Sequence, residues 1–259
     1  MEITIQNVTS RGERAYEGDS NRHIINLCKT LAKNDFLFLQ PTELCDVLSI
    51  TCFRDSEHWK QFQSSFTRLP HDDYMADGGQ YRQRRHAVYR TEPGRPALIK
   101  LEREPHYQAI EDNILNGGIP RHFAPIEEQT CNNFVMIHVL NACRDLFSAI
   151  APFYHWRIEV HQFRIITSDL AAYPTPEGLH RDGVNFVFMM LVSRENITGG
   201  ETSIHSRLGA PLDRHTFISP MEAAILNDEW ATHSVSPIMP ANPGIVGYRD
   251  MLVITFRKD

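Results

Sequence analysis

From Tyr81 onward the chain is a succession of short β-forming runs with no regular helix-strand alternation, and this narrows the folds open to it. RHAVYR, ALIKLE, NFVMIHVL and WRIEVHQFRIIT are rich in β-branched and aromatic residues and are broken by Gly, Pro and Asn. One helix is expected among them, over ACRDLFSAIAPFY at 142–154. After Ile166 the apolar segments FVFMMLV, HTFISP, EAAILN and MLVITF are separated by turn-rich stretches such as ITGGET and PANPG. Many short strands with long loops predict an antiparallel sandwich or barrel, and a jelly roll of two sheets fits best.

Residues 1–80 have a different texture. The stretch up to Ser20 is polar and is expected to be poorly ordered or an edge strand. Ile24, Leu27, Cys28 and Leu31 then recur at helical spacing, with Asn21 available as a cap. FLFL at Phe36 to Leu39 reads as a short buried strand stopped by Pro41, and further helices are expected around 43–50 and 57–66. No repeat or low-complexity linker divides the chain. It is therefore read as one domain over 1–259, with a mixed helical region (1–80) packed on a mainly β jelly-roll core (81–259).

Bulk properties exclude some functions. The formal net charge of -6 gives no general attraction to nucleic acid or an anionic membrane. The longest apolar run, Phe186 to Val192, is far too short for a membrane span, and the first residues lack a signal-peptide layout. Five cysteines form no CxxC pair, which points to reduced, mostly buried thiols and a cytoplasmic protein.

The stretch GLHRDGVNFVFMMLV (178–192) places His180 and Asp182 directly before a run that must be buried. On a strand, side chains two apart share a face, so both can look into a barrel mouth. A third ligand is available in His233, within NDEWATHSVSPI. Two histidines and one carboxylate, with coordination positions left open, suit a non-haem Fe(II) oxygenase. The pair alone is weak: with 13 His and 32 acidic residues in 259, chance gives about 1.6 His-x-acid pairs. His71 and Asp73 form a second, in a Pro/Gly/Asp-rich loop with no buried strand to fix its geometry.

Arg249 adds to the case. It lies at the start of the last strand, sixteen residues beyond His233. A buried arginine there is costly unless it meets an anion, and its planar fork grips a carboxylate with two hydrogen bonds. The plainer alternative is an ion pair with Asp250 or a surface acid.

Taken in order, HQFR (161–164), PEGLHRDG (176–183), ITGGET (197–202), ATHSVSP (231–237) and YRDMLVITF (248–256) resemble the Fe(II)/2-oxoglutarate dioxygenases. Among these the chain is similar to the bacterial free L-amino-acid hydroxylases. The likeness is close over 155–257 and looser over YRQRRHAVYR (81–90) and NGGIPRHF (116–123). It implies a double-stranded β-helix fold and a reaction using Fe(II), 2-oxoglutarate and O2 that releases succinate and CO2. By the same likeness His180, Asp182 and His233 hold the iron, Arg249 binds the distal carboxylate of 2-oxoglutarate, and Gln162 and Arg164 line the pocket beside it. Many relatives carry Ser two residues after the arginine, where this chain has Met251; Tyr248 or Thr202 could supply a hydroxyl instead.

A free amino acid needs a cation and an acceptor in its pocket. Arg82 and Arg84 share a strand face and are candidate substrate cations, against the reading of a solvated basic edge strand. Asp73 and Asp77 are near enough in sequence to serve the ammonium. His161 points opposite to Gln162 and is read as core or sheet surface, His205 and His215 as solvent-facing, and Trp156 and Trp230 as core. Three rivals stay open: a peptidyl or nucleobase substrate, a non-catalytic jelly-roll sensor in stress or biofilm response, and a zinc hydrolase, which leaves Arg249 unexplained. A pocket closed by the N-terminal helices would favour a small molecule, an open groove a polymer.

Overall fold

The computed structural model describes residues 16–48, 55–92 and 95–259. Five helices, α1 (Tyr16–Asn34), α2 (Pro41–Val47), α3 (Glu57–Ser65), α4 (Glu128–Cys131) and α5 (Phe134–Ile150), accompany twelve strands. The strands are β1 (Phe36–Leu39), β2 (Arg82–Glu92), β3 (Arg95–Leu101), β4 (Trp156–Thr167), β5 (Phe186–Glu195), β6 (Ile197–Gly199), β7 (Glu201–Ser206), β8 (Pro211–Thr216), β9 (Ala223–Asn227), β10 (Ala231–Val235), β11 (Ile238–Pro240) and β12 (Gly247–Lys258). They form an antiparallel seven-stranded sheet, in the order β1-β9-β5-β12-β4-β2-β3, facing a three-stranded sheet β10-β7-β8 and the pair β11-β6. This is the expected mainly β jelly roll with flanking helices.

Strand parity divides the core in two. On the large sheet the even-numbered residues of β5 and β12 (Phe186, Phe188, Met190, Leu252, Ile254, Phe256) meet Trp156, Ile158 and Val160 of β4 and the helices. The odd-numbered residues (Val187, Met189, Leu191, Met251) face the small sheet through Ile204, Phe217 and Ala231. The helices thus cover the outer face of the large sheet, and the space between the sheets is left for a site.

NFVMIHVL, read from sequence as a strand, is the first half of α5. Asn133 caps that helix by accepting the Val135 N–H at 2.8 Å. Val135, Met136, Val139, Leu140, Cys143, Leu146 and Phe147 then form one buried stripe at spacings of three and four. Packing on the sheet outweighs the β-branched composition. Asn21 is inside α1 rather than at its cap; of the stretch up to Ser20 expected to be poorly ordered or an edge strand, residues 16–20 begin that helix and the first fifteen lie outside the described residues. ITGGET contributes to two short strands, β6 and β7, around the left-handed Gly199-Gly200 turn. Trp156 is core, but Trp230 is 58% exposed at the turn between β9 and β10. Among the described residues no helix is long and apolar enough to cross a membrane.

Candidate active site

His180 and Asp182 precede β5 in an extended loop. A single backbone bridge joins His180 to His233 of β10, each N–H donating to the other's carbonyl at 3.0 Å. The two rings lie 4.4 Å apart, centre to centre. Asp182 sits between them, Oδ1 3.9 Å from His180 Nε2 and Oδ2 3.9 Å from His233 Nε2. The ligands are therefore fixed by this bridge and by the loop, and not by a strand running through them.

The donor set fits a divalent ion. His180 Nδ1–H donates to the Gly178 carbonyl at 3.0 Å, which leaves Nε2 facing the carboxylates of Glu177 at 3.5 Å and Asp182 at 3.9 Å. Burial lowers the His233 pKa well below its ordinary value, so the ring is neutral and able to ligate. Burial raises that of Asp182, with the nearby Glu177 and Asp112 adding to the rise against His180. A half-buried carboxylate facing two imidazole nitrogens is a donor set that a divalent metal would complete.

The triad opens into a cavity of about 230 Å³ between the sheets, into which Arg249 also projects. Arg249 is 3% exposed, has no ion pair among the described residues, and is held below its usual pKa at about 9, by burial first and Arg194 second. Its Nε has no partner, and the Thr202 hydroxyl is likewise buried without one. Asp250, the alternative partner, is taken by Arg164, whose Nε and second guanidinium nitrogen each donate to it at 2.7 Å. Tyr248 donates its hydroxyl to Glu195 at 3.0 Å, whereas the Thr202 hydroxyl is uncommitted; neither residue lines the cavity.

The expected roles of Gln162 and Arg164 are corrected. Both are even-numbered on β4 and point to the outer face. Gln162 donates to Ser65 Oγ of α3 at 2.8 Å, and Arg164 stacks on Tyr248 while pairing with Asp250. The odd residues His161, Phe163 and Ile165 line the cavity instead. The register with β12, Arg249 opposite Ile165 and Met251 opposite Phe163, sets this phase. HQFRIIT carries polar residues at both parities, so sequence pattern could not choose.

Arg82 and Arg84 of β2 do face the cavity. Arg82 is bonded to buried Asp72 at 2.7 Å. Arg84 lies between the rings of Phe123 and Phe163, 3.6 and 4.5 Å from their centres, and donates to His161 Nδ1 at 2.8 Å. Asp77 accepts from the Tyr81 hydroxyl, and neither it nor Asp73 lines the cavity. His205 bonds the Gly209 carbonyl at the surface, whereas His215 is tied to Glu222 at 2.7 Å.

A second cluster, His86, His106, Glu159 and His161, was not anticipated. His86 Nε2 and His106 Nδ1 approach Glu159 Oε2 at 2.8 and 2.6 Å, which is hydrogen-bond spacing. Ligands held about 2.1 Å from one ion sit roughly 3 Å apart or more. Arg84 can only donate, so His161 Nδ1 accepts and its Nε2 carries the proton, with no lone pair left for a metal. The cluster is a hydrogen-bonded hub. Burial alone would raise the Glu159 carboxyl, but the His106 and His86 bonds hold it far below the usual range, while burial lowers His106 to about 4.

The segment 105–123, and no described residue of α1, α2 or α3, walls one side of the cavity. Reciprocal backbone bonds between His106 and Arg121 (3.0 and 2.9 Å) pin its two ends together. It delivers His106, Gln108, Asp112, Asn113 and Arg121 to the wall. The turn NGG at 116–118, where Gly118 has φ of +82°, is the one sequence signal for it.

A jelly roll whose sheets enclose two histidines, a carboxylate and an unpaired arginine has the makings of an iron- and keto-acid-dependent oxygenase. A model of the 2OG-Fe dioxygenase family matches residues 63–255, and the chain belongs to that family. Membership of that family implies oxidoreductase chemistry with Fe(II), 2-oxoglutarate and O2, for which His180, Asp182 and His233 offer the ligand set. A bsmA homolog from Methylobium petroleophilum PM1 superposes with a TM-score of 0.81 at 30% identity, covering 90% of this chain and 92% of that one. IDO from Bacillus thuringiensis gives 0.76 at 17% identity, over 91% and 99% of the two chains, a likeness of fold alone. In sequence the chain is 26% identical over 160 residues to a 3(1)-hydroxy-L-isoleucine 4-dioxygenase of Pantoea ananatis (strain AJ13355). That match takes in 60% of this chain and 64% of the relative, under two thirds of its length.

Proposed function

We propose that this dioxygenase hydroxylates an unactivated C–H bond of a small substrate, a free L-amino acid, with release of succinate and CO2. His180, Asp182 and His233 hold the iron, and Arg249 binds the distal carboxylate of 2-oxoglutarate. Together the iron and keto acid supply, from O2, the oxidising power that the protein's own side chains lack. The chain's part is to place these groups, orient one C–H bond and keep water out. The observation that carries the reading is the unpaired, buried Arg249 in the same cavity as the triad.

A small substrate is supported by the cavity's size, below the roughly 300 Å³ at which small-molecule pockets usually begin, and by the 105–123 segment that walls it. A polymer needs an open groove. An amino acid is supported by walls of both signs and by the similarity to an amino-acid dioxygenase. Glu177 lines the cavity with its Oε2 buried and unpartnered, and it is the acceptor assigned to the ammonium.

Anaerobic addition of Fe(II) and 2-oxoglutarate to metal-free protein is expected to give the visible charge-transfer band of a chelated keto acid. The band should be lost in His180→Ala. Succinate release is then screened against free amino acids. No band in folded, iron-loaded wild type would overturn the site, and a band with no amino acid stimulating succinate would overturn the substrate class.

A further inference from the structure

The cavity holds a second buried guanidinium without a counter-ion. Arg121 is 2% exposed, forms no ion pair among the described residues, and has its Nε unpartnered. The other buried or half-buried cations of the cavity are committed: Arg82 to Asp72, Arg84 to Asp72 and His161, and Arg157 to Glu104 and Glu159, while Arg257, also at the cavity, is exposed to solvent. Arg249 and Arg121 reach the cavity from different walls, one from β12 and one from the 105–123 segment. The charges acting on Arg121 include those of Arg82, Asp72, Glu177 and Glu159, whereas Arg249 feels Arg194. With 2-oxoglutarate on Arg249, Arg121 is left free to meet a second anion.

One side chain links Arg121 to the triad. Gln108 Oε1 accepts from Arg121 at 2.6 Å, and its Nε2 donates to the Asp182 carboxylate and carbonyl, both at 3.3 Å. Arg121 is a pure donor, so the carboxamide can stand only this way round. Asn113 donates to the same Oε1 at 3.3 Å, and Asn116 N–H to Asn113 Oδ1 at 2.7 Å, which ties the arrangement to the NGG turn. The guanidinium is therefore held at a fixed offset from Asp182.

We infer that Arg121 is the anchor for a carboxylate on the substrate, and that Gln108 is a positioning residue fixing that anchor relative to Asp182. The inference rests on the proposed iron site and deepens the substrate reading. It takes a monocarboxylate end group, gripped by one guanidinium edge, as the feature that sets which carbon is presented. The carboxylate of an amino acid meets this requirement, and the corresponding amide or amine does not.

The test is calorimetric titration of isovalerate and isovaleramide into protein saturated with Fe(II) and 2-oxoglutarate under nitrogen. The keto acid then occupies Arg249, and neither probe needs to be turned over. Wild type is expected to prefer the carboxylate by about tenfold or more, and Arg121→Met to bind both within about twofold of each other. Arg121→Lys preserves charge and bulk; isovalerate binding should weaken about fivefold with isovaleramide unchanged, since the planar fork is lost. No carboxylate preference in wild type, a preference preserved in Arg121→Met, or equal losses for both probes in Arg121→Lys would overturn the anchor. Failure of every amino acid to support turnover, with the carboxylate preference intact, would remove the amino-acid reading and leave this subsite standing.

Discussion

Asp228 holds the turn that carries Asp182: its carboxylate accepts the backbone N–H groups of Asp182 at 3.1 Å, Gly183 at 2.9 Å and Val184 at 3.1 Å. Three donors on one buried acid fix the loop where no strand does. With Asp228→Ala the Fe(II) concentration for half-maximal charge-transfer band should rise about 10- to 100-fold. Asp228→Asn, which keeps one acceptor oxygen, should lose less. Unchanged iron affinity in both would show that the loop is held by other means.

Arg249 has a different signature. Arg249→Met should raise the 2-oxoglutarate needed for the band at least about 30-fold, equivalent to roughly 2 kcal/mol for a lost buried charge partner. Iron binding without the keto acid should be unaffected. Equal losses of both would place the arginine in the fold and not in the cosubstrate site.

Arg164 is expected to matter for stability alone. Asp250 is fully buried and receives Arg164 twice and the Ser193 hydroxyl at 2.6 Å. Arg164→Met leaves that carboxylate without its cation, and unfolding in urea should show a loss of about 3–5 kcal/mol. The 2-oxoglutarate dependence of the folded variant should match wild type, and a selective rise would return Arg164 to the pocket.

Acid should destabilise the protein through the hub around Glu159. Burial, against the pull of Glu159, lowers His106 from 6.5 to about 4, and burial lowers His86 and His161 too. Between these values the unfolded chain binds more protons than the folded one, so stability is full above pH 6.5 and falls as pH drops toward 4. At roughly 1.4 kcal/mol per pH unit, His106 alone contributes about 3 kcal/mol across that window. Urea midpoints measured across it should show a shallower slope in His106→Gln, and an unaltered slope would remove His106 as the source.

Much of the site was legible because its parts are local. His180-x-Asp182 before an apolar run, His233 after a strand, and Arg249 at the head of the last strand are each a short-range pattern, and their order along the chain carries the likeness to a family. The jelly roll was legible for the same reason, since short runs rich in β-branched and aromatic residues mark strands such as β4 and the continuously apolar β5. NFVMIHVL misled because a helix buried against a sheet can be as rich in β-branched residues as a strand.

What the sequence by itself determined is therefore the mainly β class, most of the strands, and the residue types that can bind iron and a keto acid. Only the tertiary structure decided which parity of β4 faces inward, because Gln162 and His161 are equally polar and the register with β12 and β2 breaks the tie. It also decided which arginines are spent. Asp72 claims Arg82, Asp250 claims Arg164, and Arg121 and Arg249 are left buried without an anion. Charge pairing across tens of residues depends on where segments such as 105–123 fold back, and no local pattern encodes that distance.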